Sequence, residues 1–183
     1  LTEEGTGAHI IYHFWHPLII SHLYGRLSAA RRAQLHRKAA EAIKATSSEK
    51  AAATIVYHLN KGGGDPAQIA HYAEVAGNQA YTLAAYAEAQ QYYVQVLQAL
   101  INNARVSLTG ADIHKQLQRL LTKDAAQLPF ADPLHASRTL ERIADCSVIL
   151  GNFEGGRRCY ENILRLVAAE HFQYAIYSST PVE

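Results

Sequence analysis

Apolar side chains recur every three to four residues along most of the chain, the spacing of amphipathic helices, and polar punctuation interrupts them at short intervals. "PLIISHLYGRL" (17–27) follows His16, with Pro17 placed where a first helical turn loses nothing by its missing N–H. Ser28 is positioned to cap "AARRAQLHRKAAEAIKA", in which Leu35, Ala39, Ala42 and Ile43 share one face. Thr46 and Glu49 have capping-box spacing and open "KAAATIVYHLN", which Gly62, Gly63 and Gly64 stop. Asp65 and Pro66 predict the start of a helix to about Leu83, and the next runs from Tyr86 to around Ala104. A sixth opens between Thr109 and Asp112 and ends before Pro129. Asp132 and Pro133 start a seventh, to about Leu150; Gly151 breaks it and Asn152 caps an eighth. Only "IIYHFW" (10–15), β-branched and aromatic, predicts a strand, so at most one short strand is expected, before Trp15. Helices joined by loops this short pack antiparallel to their neighbours, and the fold class is all-α.

One stretch occurs twice. "LGNFEGGRRCYENIL" (150–164) echoes "LAAYAEAQQYYVQVL" (83–97), 67 residues away (150 minus 83). A small residue, Ala89 or Gly156, lets the second helix of a hairpin approach the first. An aromatic one turn later, Tyr93 or Tyr160, fills the space beside that contact. Sixty-seven is one short of twice the 34-residue period of a common helical repeat, which makes the copies first and third of a series with a degenerate member between.

These residues resemble the tetratricopeptide repeat, whose pattern runs W-x₂-L-G-x₂-Y, then A-x₃-F, then P. Here the first helix has Ala73, Ala76 and Gly77 with Ala89 and Tyr93 in the second; the other copy has Leu140, Ile143 and Ala144 with Gly156 and Tyr160. The chain departs from the pattern at Ala80 and Ser147, which stand where the family has tyrosine, and no proline closes either copy near Ile101 or Ala168. The resemblance implies a right-handed solenoid of antiparallel helix hairpins over 28–183, with pairs at 28–61, 65–105 and 133–170 and an atypical, unpaired helix at 111–128.

A second resemblance covers the N-terminal third. "FWHPLIISHLYGRLSAARRAQLHRKAAEAI" (14–43) is similar to the region of large bacterial STAND or LuxR-type ATP-dependent regulators where the winged-helix end of the nucleotide switch passes into a helical-repeat sensor. "AAATIVYHL" and "IAHYAEVAG" resemble the continuation in such proteins. Residues 1–27 are then the end of a winged-helix connector, the short strand its remnant. No Walker A loop appears, so nucleotide and DNA would be bound by other parts of a longer protein, upstream of Leu1 in the case of an NTPase. The implied function is a sensor or scaffold that binds a protein, a peptide or an effector on its concave face. The alternative is a structural or self-association arm that sets oligomeric state, and a homo-oligomer fits either.

In tetratricopeptide solenoids the first helices line the concave surface. Carried over through Gly77, the partner-contacting stripe is His71, Glu74, Asn78, Tyr81 and Thr82; through Ala144 it is Arg138, Glu141 and Asp145, with Val148 and Ile149 either joining it or packing on a next helix. The intervals keep each set on one helical face.

Composition narrows the chemistry. Seventeen basic against 16 acidic residues leave a net charge of +1, with no overall pull toward nucleic acid or an anionic membrane. "RRAQLHRK" (31–38) is the one basic stretch and reads as a solvated helix face. Cys146 and Cys159 sit in helical stretches without a CxxC or Cys/His cluster and read as reduced core residues. The opening LTEEGTGAH lacks the order of a signal peptide, and no run is long and apolar enough for a membrane span. Together these point to a cytoplasmic piece of a longer chain. His9, His13, His16, His22 and His36 cluster in sequence but straddle different elements, so surface or packing roles are expected rather than a metal site. No nucleophile with a supporting base appears; neither an enzyme nor a cofactor is expected.

Overall fold

The computed structural model describes residues 2–4, 11–13, 16–101, 130 and 132–178. Seven α-helices account for most of them: α1 (Pro17–Arg26), α2 (Ala29–Ser47), α3 (Ala52–Gly62), α4 (Pro66–Thr82), α5 (Tyr86–Leu100), α6 (Pro133–Ile149) and α7 (Phe153–Ser178), with a 3₁₀ turn at Ser48–Ala51. The expectation of a single strand is corrected. β2 (Ile11–His13) pairs antiparallel with β1 (Thr2–Glu4), Thr2 opposite His13. A lone strand leaves its backbone groups unmet, and the polar Thr2–Glu4 segment satisfies them without any hydrophobic signal of its own.

The helix starts follow the capping residues. Ser28 Oγ accepts from the Arg31 N–H at 3.2 Å, Asp65 Oδ2 from Gln68 at 3.3 Å, Asp132 Oδ1 from His135 at 2.9 Å and Asn152 Oδ1 from Gly155 at 3.0 Å. Thr46 behaves otherwise. Its hydroxyl donates back to the Ala42 and Ile43 carbonyls at 3.1 and 3.3 Å, so α2 runs on to Ser47 and the 3₁₀ turn replaces the expected capping box. The face of α2 also differs by one position: His36 and Ala40 are buried while Leu35 is exposed.

The sequence echo is a duplication of a whole hairpin. α4 and α6 are each 17 residues long. Their prolines at N1, their aspartate caps and the first residues of α5 and α7 are all offset by the same 67 positions. The turns share their backbone course, though only the second has a side-chain cap, Asn152. Ala84 and Gly151 occupy the left-handed region at φ 57 and φ 79, and the next N–H returns to the first helix, Ala85 to Ala80 at 2.9 Å and Asn152 to Ser147 at 2.8 Å.

The two copies are neighbours. α5 packs on α6, the Gln90 amide donates to Ser147 Oγ at 2.7 Å, and one buried cluster runs through both hairpins from Val56 and Ala73 to Cys159 and Leu166. Ile101 and Phe130 form an antiparallel bridge, so the chain leaves the end of α5 and returns beside it. The copies are therefore not separated by a repeat wedged between them, because linear spacing counts an excursion as though it were a layer. The helix expected at 111–128 lies outside the described residues. A smaller cluster of Ala40, Ile55 and Leu59 ties α2 to α3.

The aromatic positions diverge. Tyr93 is buried, as its role requires, but Tyr160 is 43% exposed. Ala144, fully buried, stands in the second copy where the first has Gly77.

Candidate interaction surface

Side chains link the first helices of the hairpins, while the helices themselves pack through α3 and α5. Lys44 Nζ on α2 donates to Gln68 Oε1 on α4 at 2.8 Å, and the Gln79 amide donates to the Glu49 carbonyl at 2.8 Å. Across the other edge of α4, Glu74 Oε2 meets His135 Nε2 of α6 at 3.1 Å. The Arg142 guanidinium lies 5.6 Å from the centroid of Tyr81, which itself packs edge-on against Tyr86 at 5.2 Å.

These contacts divide the expected stripe. Glu74 and Tyr81 are half-buried and turned toward α6, so they couple the copies and present only their edges to solvent. Asn78 and Thr82 open instead onto a shallow hollow of about 630 Å³ between α4 and the 3₁₀ turn, lined also by Glu49, Lys50, Val75, Gln79 and Leu83. Asn78 is not fully free, since its Oδ1 accepts from the Tyr93 hydroxyl at 2.9 Å and its carbonyl from Thr82 Oγ1 at 2.9 Å. The residue as a whole is exposed. His71 is exposed, its ring stacked edge-on with Tyr72 at 5.0 Å. On α6, Arg138 and Glu141 are exposed, while Asp145 Oδ1 accepts from Tyr160 at 3.3 Å. Val148 and Ile149 are partly exposed, and Val148 Cγ2 lies against Gly156 of α7, 2.9 Å from where a Cβ on that glycine would stand. Gln79, Glu49 and Lys50 belong to the hollow and were not foreseen, because only the folding of the 3₁₀ turn onto α4 brings them there.

A second polar cluster lies where α1, α2 and α3 meet. Tyr24 Oη is 2.9 Å from His36 Nε2, and His36 Nδ1 is 2.8 Å from His58 Nδ1. One proton serves the last contact. With the tyrosine hydroxyl donating, neutral His36 carries its hydrogen on Nδ1 and gives it to His58. Burial, then the electrostatic influence of His58 and Lys61, lowers the His36 pKa from its usual value. Arg32 stacks over the Tyr24 ring at 5.3 Å. The histidine packs and links helices.

Cys146 and Cys159 are buried free thiols that burial pushes up to about 11 and about 12. Among the described residues no group of three or more His, Cys, Asp or Glu side chains is arranged to hold a metal ion. No described helix is long and apolar enough to cross a membrane. No family model, curated protein or solved structure matches the chain.

Proposed function

We propose that the chain is a tetratricopeptide-like interaction scaffold, a right-handed stack of helix hairpins that binds a protein or an extended peptide across α4 and α6. The duplicated hairpin supports this reading: two like frames, joined by packing of α5 on α6, have first helices linked by side chains and polar residues exposed along both. His71, Asn78, Thr82, Gln79, Arg138 and Glu141 supply donors and acceptors suited to a peptide backbone. The half-buried Tyr81 and Glu74 fix the spacing between the two helices. In this reading the chain is a cytoplasmic sensor segment of a STAND or LuxR-type regulator, relaying occupancy to nucleotide- and DNA-binding parts elsewhere, and it performs no catalysis itself.

Selection of a random peptide-display library against the folded chain tests this. Enriched peptides should lose at least about tenfold in affinity, or roughly 1.4 kcal/mol, to a His71→Ala/Arg138→Ala variant that melts like the wild type. Failure to enrich any peptide, or equal binding by the variant, would remove the α4–α6 face as the site.

A further inference from the structure

The duplication permits a direct comparison of what covers each second helix. On α5, Tyr93, Leu97 and Leu100 are 2%, 1% and 8% exposed, sealed by α4 on one side and α6 on the other. Their counterparts on α7 are Tyr160, Leu164 and Val167, at 43%, 70% and 41%, and Phe153 at the head of the same row is 69% exposed. Positions 153, 160, 164 and 167 follow a spacing of seven, four and three, a single seam along one helix. The frame of the second copy thus presents the surface that the first copy buries in a helix contact.

The flanks say what kind of helix belongs there. Where α5 has Gln90 and the fully buried Val94, α7 has Arg157 and Glu161, an ion pair on the same side as the seam. Another helix seated as α6 sits on α5 would bury that pair, which is costly. A narrow apolar seam with charged flanks instead fits a helix pair whose flanking charges match. Two copies of α7 crossing antiparallel about a two-fold axis at the height of Cys159 place Arg157 level with the partner's Glu161, twice. Phe153 then comes within one residue of the partner's Leu164.

We propose that the chain forms a symmetric dimer through this outer seam of α7, antiparallel, with Phe153, Tyr160, Leu164 and Val167 at its centre and reciprocal Arg157–Glu161 pairs at its rim. The contact is isologous and closes on itself, leaving the α4–α6 face open. It stands independently of peptide binding there.

Sedimentation of the full chain tests it. At about 0.1 mM, a dimer of micromolar dissociation constant is nearly saturated. Leu164→Glu, at an exposed position, should give a folded monomer that melts, independently of concentration, where the wild type melts when diluted well below its dissociation constant. Arg157→Glu alone and Glu161→Arg alone should each weaken the dimer at least tenfold. An equimolar mixture of those two should dimerise again, although each still carries its own like-charge repulsion within the helix. A wild-type chain that stays monomeric, a dimer indifferent to Leu164→Glu, or a mixture that fails to re-form would each overturn the proposal. So would a monomer whose Leu164→Glu variant melts lower, since that would put another part of the same chain on the seam.

Discussion

Gly77 makes room for the ring of Tyr93: a Cβ built on it would stand 2.7 Å from Cε1 of that ring, and the tyrosine is too deeply buried to move aside. Gly77→Ala should therefore lower the unfolding free energy, because overpacking costs about 1–3 kcal/mol while the gain in helix propensity is about 1 kcal/mol. The second copy predicts a different pattern. Ala144 is wholly buried, so Ala144→Gly should cost about 1 kcal/mol of helix propensity and about 0.8 kcal/mol more for the lost methyl. Denaturant midpoints of both variants check this; a stabilised Gly77→Ala would mean that the ring lies elsewhere.

The turn positions make a reciprocal pair. Ala84 holds φ 57 with a side chain, whereas Gly151 holds φ 79 without one. Ala84→Gly removes about 1–2 kcal/mol of left-handed strain and loses about 0.4–1 kcal/mol to the looser unfolded chain, a net gain of about 1 kcal/mol or less. Gly151→Ala should lose a similar amount. Thermal melts of the two variants should move in opposite directions.

Stability should fall as the solution is acidified, and His36 should contribute. Its folded pKa is held below the ordinary value, chiefly by burial, so near and below pH 6.5 the unfolded chain binds the proton more readily. The contribution is whole above that pH and is lost as the pH falls toward the depressed folded value. Chemical denaturation at pH 7.5 and at pH 5 measures the slope, and His36→Gln should flatten it. An equally steep slope in the variant would place the titrating group elsewhere.

Both thiols should be unreactive in the folded protein. Cys146 at about 11 and Cys159 at about 12 are almost wholly protonated at pH 8, and burial shields them from reagents. A chromogenic disulfide should titrate two thiols in denaturant and none promptly without it. Rapid reaction of either in buffer would show that the α6–α7 core opens readily.

Local chemistry was readable from the chain. Asp65, Pro66, Asp132, Pro133 and Asn152 each mark a helix start, because a cap acts on backbone within three residues of itself. The repeat was readable for the same reason, since small residues and turn residues must recur where the hairpin recurs. Three features depended on partners distant in sequence. The burial of His36 in place of Leu35 follows from where His58 lies on another helix. The burial of Tyr93 but not of its counterpart Tyr160 follows from α6 packing on α5, while no described helix packs in the same way on α7. The candidate surface was half legible. Helical spacing gave its face, but the turning of Glu74 and Tyr81 toward α6 depends on that helix lying within side-chain reach, which linear spacing had placed a repeat further away.

Direct stacking of the two hairpins is what gives α4 and α6 a common face, and the bridge between Ile101 and Phe130 reports it most closely. Partners in an antiparallel bridge have Cα atoms about 4.5–5.5 Å apart, within the range a disulfide spans. In a chain with Cys146→Ala and Cys159→Ala, the pair Ile101→Cys and Phe130→Cys should oxidise spontaneously while folded. The closed loop should then raise the unfolding free energy by about 3 kcal/mol over the reduced form. Hairpins separated by an intervening layer would hold these residues about 10 Å or more apart. Thiols that stay free in the folded protein, or a disulfide that lowers the denaturation midpoint, would contradict direct stacking and the shared surface with it.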